Sequence, residues 1–339
     1  MKTSVKYLNN PADITREKWS DFVHSHPIGT IFQSPQMYDV FEESANYDPV
    51  FLACIDDNNV LQGLMVSGIF SEKSGIAGSL IKRSIVVGGP LLSSHDLLLE
   101  FVSNYEELVK DRAVYSRLAN LFDMTNEFDD LNKLGYEYKD HLNYKIDLSQ
   151  PLEHLWNNLH NTRRRQIRRG IRRGIKTEVT YEVSNLPDYY EILKQTYLHA
   201  GQPLLDLSFF EAAYKNLSAN KNIIFFSAYD GDRLIGHRIV LAYNKMLHDW
   251  YAGDLFDARD LYTNDVLVWE VIKWGTENGY KDFDFGGAGE PDKEYGVREF
   301  KKKFGGNLVN YGNYLKVHQP VKYNLIKKAF PIYKKLRKS

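Results

Sequence analysis

"NIIFFSAYDGDRLIGHRIVLAY", Asn222 to Tyr243, decides how the chain is read. Two apolar runs flank Asp230-Gly231-Asp232, the composition of a tight turn, so the stretch predicts a β-hairpin. "MLHDWYAG" (Met246 to Gly253) adds a third strand. "TNDVLVWEVIKWGTENG" (263–279) then predicts an amphipathic helix with Val266, Trp269, Val271 or Ile272, and Trp274 on its buried stripe and Gly279 as its stop. Beyond it, "KDFDFGG" reads as a short strand, "VREFKKKF" as a short helix, and "LVNYGNYLKV" as a strand pair or one long strand. Upstream, "LPDYYEILKQTYLHA" and "LSFFEAAYKNL" are helical, the second with Ser208 as its cap.

The same order occurs near the start. "TREKWSDFVHSH" predicts a helix, and "SPQMYDVFEES" a second one opened by Ser34 as N-cap and Pro35 in the first turn. "PVFLACID" and "VLQGLMVSGIF" form a hairpin across Asp57-Asn58-Asn59. Helix, helix, hairpin therefore occurs twice, although the halves share negligible identity. At 339 residues the chain exceeds what one hydrophobic core usually supports. The expectation is two domains of mixed α+β class: 1–150, 151–320, and a basic tail over 321–339, with the junction at "IDLSQPLEHLWNNLH".

A net charge of −1 conceals an asymmetry. From Phe300 to Ser339 there are 11 Lys plus Arg and no Asp or Glu, leaving 32 basic against 44 acidic side chains in the first 299 residues. Seven Arg and Lys176 fall within the 14 residues from Arg163 to Lys176. Both basic zones suggest a phosphate-bearing partner or an anionic membrane face. Cys54 is the one cysteine, which excludes an intrachain disulfide, and it reads as a small core residue. "MKTSVKYLNNP" has no apolar core for a signal sequence, and no run approaches the roughly 18 apolar residues of a membrane span, so a cytoplasmic protein is expected.

If Asn161 to Lys176 is helical, Ile167, Ile171 and Ile175 form one stripe and the arginines cover the other faces. Gly170 and Gly174 beside that stripe each weaken the helix by up to about 1 kcal/mol, a cost easier to understand where something approaches the backbone closely. Two readings stand: a solvated helix across the domain junction, or bidentate contacts to the phosphates of tRNA, a nucleotide diphosphate or a lipid diphosphate. The tail "VKYNLIKKAFPIYKKLRKS" suits an anionic membrane surface, RNA, or simple solubility. In "DFDFGGAGEPDKEYG" the glycines do not run into a helix, which excludes a dinucleotide fingerprint. Asp282 and Asp284 have no His nearby, so no metal site is expected, and Asp284 orders a loop or meets a polar substrate. His24 and His26 read as structural, and no nucleophile elbow, Walker loop or zinc spacing occurs.

"NTRRRQIRRGIRRGIKTEV", then "WYAGD", "TNDVLVWEVIKWGTENGYKDFDFGG" and "VREFKKKFGG", together resemble the FemABX family, aminoacyltransferases that build peptidoglycan cross-bridges, and related envelope-associated acyltransferases. The likeness spans roughly residues 135 to 318, while the first half matches in element order and in "FQSPQMYDVF". It implies two tandem domains of the acetyltransferase (GNAT) fold, each a mixed, mostly antiparallel sheet flanked by helices. It also implies that Lys301, directly after Phe300 and between Phe300 and Phe304, approaches the reacting carbonyl. One donor at the developing oxyanion is worth about 3–4 kcal/mol.

Two departures qualify the substrate. "DLFDARDLYTNDVL" stands where CoA-using members carry their pyrophosphate turn, and the helix there opens with Asn264 and Asp265, an acidic start unfavourable to a diphosphate. Neither the coiled-coil arm nor the acceptor-phosphate lysine of some members is identifiable. The resulting expectation is an N-acyltransferase without bound cofactor, its co-substrate an aminoacyl-tRNA or an acyl-CoA, its acceptor an amine on a nucleotide- or lipid-linked envelope precursor. Candidate proton acceptors are Asp249 and Tyr251, with His237 across the hairpin. Arg163, Arg164, Arg168 and Arg172 are expected to hold the phosphate-bearing substrate, with Asn264, Asp284 and Phe300 lining the site. The alternatives are an acyl-CoA- or acyl-carrier-dependent N-acyltransferase acting on an amino sugar, and a non-catalytic module gripping RNA or membrane. The oligomeric state stays open, and peripheral attachment at the inner membrane face would run through the tail.

Overall fold

The computed structural model describes residues 4–71, 82–325 and 327–328. The chain divides into two compact units, Met1–Asp140 with the segment from Tyr311 onward, and His141–Asn310. The expected junction at residue 150 lies ten residues too late for a physical reason. The strand before it is not the end of the first sheet but an inner strand of the second, hydrogen-bonded to the "DFDFGG" strand.

In the first unit the strands are β1 (Val5–Leu8), β2 (Tyr47–Asp56), β3 (Leu61–Ser71), β4 (Lys82–Val87), β5 (Leu91–Leu92), β6 (Tyr115–Ala119), β7 (Glu137–Lys139) and β15 (Asn313–Val317). Their order is β1-β2-β3-β4-β6-β15-β7, with β5 paired to β3. Helices α1 (Arg16–Ser25) and α2 (Pro35–Glu43) begin where the caps predict: Thr15 accepts from the Lys18 amide, and Ser34 from the Met37 amide at 3.2 Å. Helix α3 (Leu98–Val109) buries Leu98, Phe101, Val102, Tyr105 and Val109 in a core with Met65, Val86, Leu118 and Tyr314.

In the second unit the strands are β8 (Leu142–Asp147), β9 (Lys176–Thr180), β10 (Ile223–Asp230), β11 (Arg233–Tyr243), β12 (Met246–Asp254), β13 (Asp282–Gly289) and β14 (Asn307–Asn310). They run in the order β14-β8-β13-β12-β11-β10-β9. The helices are α4 (Leu152–Asn158), α5 (Asn161–Arg172), α6 (Leu186–His199), α7 (Leu207–Leu217), α8 (Thr263–Glu277) and α9 (Gly296–Lys302). On α8 Val266, Val271 and Ile272 are buried and Trp269 and Trp274 pack half-buried at the margin of the core. The α7 cap is Asp206, which accepts from the Ser208 amide at 3.0 Å, in place of the expected Ser208.

Each sheet thus has antiparallel strands on one side, one parallel pair (β4 with β6, β12 with β13), and then an antiparallel strand from elsewhere in the sequence. In the first unit that strand, β15, follows the whole second unit in the sequence. "LVNYGNYLKV" splits at Tyr311-Gly312: its first part is β14 beside β8, and its second is β15 beside β6 and β7. Residues 320–325 are helical, with Val321 76% and Leu325 64% exposed, and the expected tail from 329 onward lies outside the described residues.

Candidate active site

The parallel pair of the second unit is interrupted. Strands β12 and β13 pair over three positions, Met246 with Asp282, Leu247 with Phe283 and His248 with Asp284. Both strands continue, to Asp254 and Gly289, without pairing to each other. The divergence starts at a bulge. Val240 faces Asp249 and Ile239 faces Tyr251, so Trp250 is an extra residue in β12 and the strand bends there. Past this point a wedge opens between two strands whose inward-facing carbonyls need other partners.

Lys301 supplies them. Its side chain rises from α9, and Nζ donates to the Phe285 carbonyl and, at 3.1 Å, to the Gly287 carbonyl. Residue 301 is 8% exposed, and Nζ lies 5.0 Å from the centre of the Phe285 ring. An ammonium has three protons, so two carbonyls leave one to direct elsewhere. Burial pushes the Lys301 pKa down to about 8, opposed by the Asp249 carboxylate. Gly286, at φ +78°, takes a backbone conformation that favours glycine, and it lies against Lys301 Nζ and the Asp249 carbonyl.

A second cation stands on the same ring. Arg238 lies 5.4 Å from the Phe285 centroid, and its guanidinium holds both Asp249 oxygens at 3.0 and 2.5 Å and the Asn264 Oδ1 at 2.5 Å. Asp249, expected as a proton acceptor, is therefore the buried counter-ion of Arg238, 8% exposed, with neither oxygen left over. His237 also departs from expectation. It is fully buried, bonds the Tyr189 carbonyl through Nε2 at 2.8 Å, and burial pushes its pKa down to about 4. Tyr251 lies in an aromatic group, its ring centre 4.8 Å from Phe210, 5.2 Å from Trp250 and 5.9 Å from Tyr197. Asp284 is completely buried, Oδ1 accepting from the Gly286 amide at 2.8 Å and from Asn143 at 3.4 Å.

The arginines separate into two groups. Arg163 is structural: it pairs with Asp265 at 2.6 Å, the two being 11% and 7% exposed, and covers the Phe300 ring at 4.5 Å. Burial raises the Asp265 pKa, and Arg163 opposes the rise. The acidic start of α8 is thereby neutralised within the protein. Arg164, Arg165, Arg168 and Arg172 line an open groove of about 840 Å³ with Asn161 and Ile171, the latter 54% exposed instead of buried with Ile167. Among the described residues none of these four has a carboxylate partner. Gly170 sits where α5 crosses α8, since a Cβ there would meet Val266 at 2.7 Å and the Leu261 carbonyl at 2.8 Å. The close approach that its presence suggested is made by the chain itself.

Sequence reasoning missed Arg238 and His248. Arg238 had a signal, a charged residue in the middle of an otherwise apolar strand. His248 had none, because its partner Asp284 is 36 positions away and adjacent only through the parallel pairing.

Residues 161–301 match the family described as "Acetyltransferase (GNAT) domain". Over 109 residues the chain is 32% identical to the lipid II:glycine glycyltransferases of Staphylococcus epidermidis (strain ATCC 35984) and Staphylococcus haemolyticus (strain JCSC1435). That stretch is 30% of this chain and 26% and 25% of those proteins, so the chain matches about a quarter of their length. The crystal structure of FemX superposes with a TM-score of 0.71 at 16% identity, covering 95% of this chain and 99% of FemX. A tandem GNAT protein from the clavulanic acid biosynthesis pathway superposes at 0.57 with 7% identity, covering 93% and 99%. The expected fold of two GNAT-like units is borne out.

Proposed function

We propose that this chain, which carries a GNAT acyltransferase domain and the fold of FemX, is a FemABX-type N-acyltransferase. It moves an activated aminoacyl group, carried as an ester on tRNA, to an amine of a lipid-linked cell-envelope precursor. The lipid II:glycine glycyltransferases named above support this class of acceptor.

The observation that carries the reading is the Lys301 ammonium in the wedge between β12 and β13. An acyl carbonyl entering the wedge meets the remaining N–H, and as the amine attacks, negative charge collects on that oxygen beside a buried cation. Electrostatic stabilisation is strongest where water is excluded and the donor is held in advance, and two backbone carbonyls and the Phe285 ring hold Lys301. Arg238, fixed and neutralised by Asp249 and held by Asn264, packs on the same Phe285 ring. The groove of Arg164, Arg165, Arg168 and Arg172 would take the phosphates of the donor. No helix among the described residues is long and apolar enough to cross a membrane, and contact with lipid would fall to the exposed Val321 and Leu325 with the lysines beside them.

The test supplies tRNA charged with a mixture of radiolabelled amino acids together with purified lipid II, and separately acetyl-CoA with the same acceptor. Amide-linked label on lipid II, lost in Lys301→Ala, is expected. Release of free CoA without tRNA-dependent labelling would replace the donor by a thioester. Retention of full transfer by Lys301→Ala would remove the mechanism.

A further inference from the structure

An amine that attacks a carbonyl has to lose a proton, and the candidates expected from sequence do not serve. Asp249 is committed to Arg238 and His237 is sealed in the core. A different pair stands at the apex of the wedge. His248 occupies the last paired position of β12, opposite Asp284 on β13, immediately before the strands part. Its Nδ1 lies 3.8 Å from Asp284 Oδ2, an oxygen buried without a hydrogen-bond donor at normal distance. The other Asp284 oxygen is held by the Gly286 amide and Asn143, so the carboxylate cannot turn away. Lys301 holds the carbonyls of Phe285 and Gly287 in the same short segment. Ammonium and imidazole thus both contact the Asp284–Gly287 segment of β13, and the His248 side chain is 16% exposed where Asp284 is not exposed at all.

We infer that His248 accepts the proton of the attacking amine, with Asp284 as the positioning residue that fixes its ring. This assignment rests on the acyltransferase reading. With Nδ1–H directed at the carboxylate, Nε2 carries the lone pair and faces away from Asp284. The nitrogen of the neutral amine forms a bond to the acyl carbon, and its proton passes to Nε2. The bond from that carbon to the donor's ribose oxygen breaks, and the imidazolium returns the proton to the departing oxygen, giving an amide and the free tRNA hydroxyl. Asp284 suits the task because it remains an anion: burial pushes its pKa up, but His248 and the Gly286 amide outweigh burial, so the net shift is downward. The other groups in register around the pair are Lys145 on β8, opposite Asp284, and Leu241 on β11, opposite His248. A separation of 3.8 Å closes to a hydrogen bond when the substrate complex forms, as pairs of this kind commonly do.

The test compares two acceptors, with charged tRNA as donor. Lipid II presents an ordinary amine, and hydroxylamine is a nucleophile that needs little help in losing its proton. His248→Gln is expected to lower kcat for lipid II by about 10²–10³ with KM nearly unchanged, while largely keeping protein-dependent hydroxamate formation. Asp284→Asn is expected to show a smaller loss with the same preference. Hydroxamate formation also reports that each variant is folded. Undiminished transfer to lipid II by His248→Gln, or equal losses with both acceptors, would overturn the inference alone. No transfer to lipid II by the wild-type chain would remove the acyltransferase reading and this inference with it.

Discussion

The two sheets have the same strand order around one parallel pair, but they treat that pair in opposite ways. In the first unit β4 and β6 stay together over five positions, Arg83 with Tyr115 through Val87 with Ala119, and the Gly88 amide continues onto the Ala119 carbonyl. In the second, β12 and β13 separate after three positions, at a bulge. The buried polar groups differ accordingly. The first sheet carries hydroxyls satisfied by neutral partners: Ser67 with Ser84 at 3.1 Å, Ser84 with Tyr105 at 2.6 Å, and Ser116 with the His318 imidazole at 2.7 Å. The second carries charges, Lys301, Arg238 with Asp249, and Arg163 with Asp265. A closed ladder meets its own backbone hydrogen bonds, whereas an open one needs donors and so creates a place for a cation.

The comparison can be broken at several points. Arg163→Met would leave Asp265 buried without its counter-charge, and a loss of about 3–5 kcal/mol in urea unfolding is expected. The matching change in the first unit, Lys316→Met, removes the partner of Glu106 from a 23% exposed position and should cost less. Equal losses would show that the second unit does not depend on charge in the way described. Lys301→Met should lower single-turnover transfer by about 10²–10³, the loss of one oxyanion donor. In the wild type the same rate should fall as pH rises through about 8, because the Lys301 ammonium is then lost; the downward shift brings that decline well below the usual lysine range. A rate that kept rising above this value would mean that Lys301 works as the free amine.

Smaller effects sharpen the contrast. Tyr105→Phe removes the hydroxyl at the centre of the first sheet's network and should cost about 1–2 kcal/mol without altering turnover. A change in turnover would bring the first sheet into the chemistry. Arg168→Gln should weaken binding of charged tRNA only modestly and lower the dependence of log K on log salt by about one phosphate's worth, read from a salt titration.

Much of this was legible in the sequence. Caps at Ser34, the Asp-Gly turn at 230–231, and the apolar stripes fixed helices and hairpins because those signals are local. Lys301 was legible through its flanking phenylalanines and the family resemblance. The destination of β15 was not: "NLVN" and "NYLKV" are similar short strands, and which sheet each joins depends on partners 162 to 202 positions away. The wedge was equally hidden, since an extra residue at Trp250 carries no compositional mark. Asp249 was misjudged because its partner Arg238 lies on the neighbouring strand, and pairing across strands is set by register.

The crossed strands also constrain the order of events during synthesis. Ser116 and His318 are hydrogen-bonded although 202 residues separate them, and β15 lies between β6 and β7. A ribosome therefore delivers the whole second unit before the first sheet can close, and β6 must wait with an unpaired edge while the second sheet is made. Such an edge is open to misassembly, and closing so long a loop is slow. A nascent chain halted before Tyr311 should expose that edge to proteases that spare the completed protein.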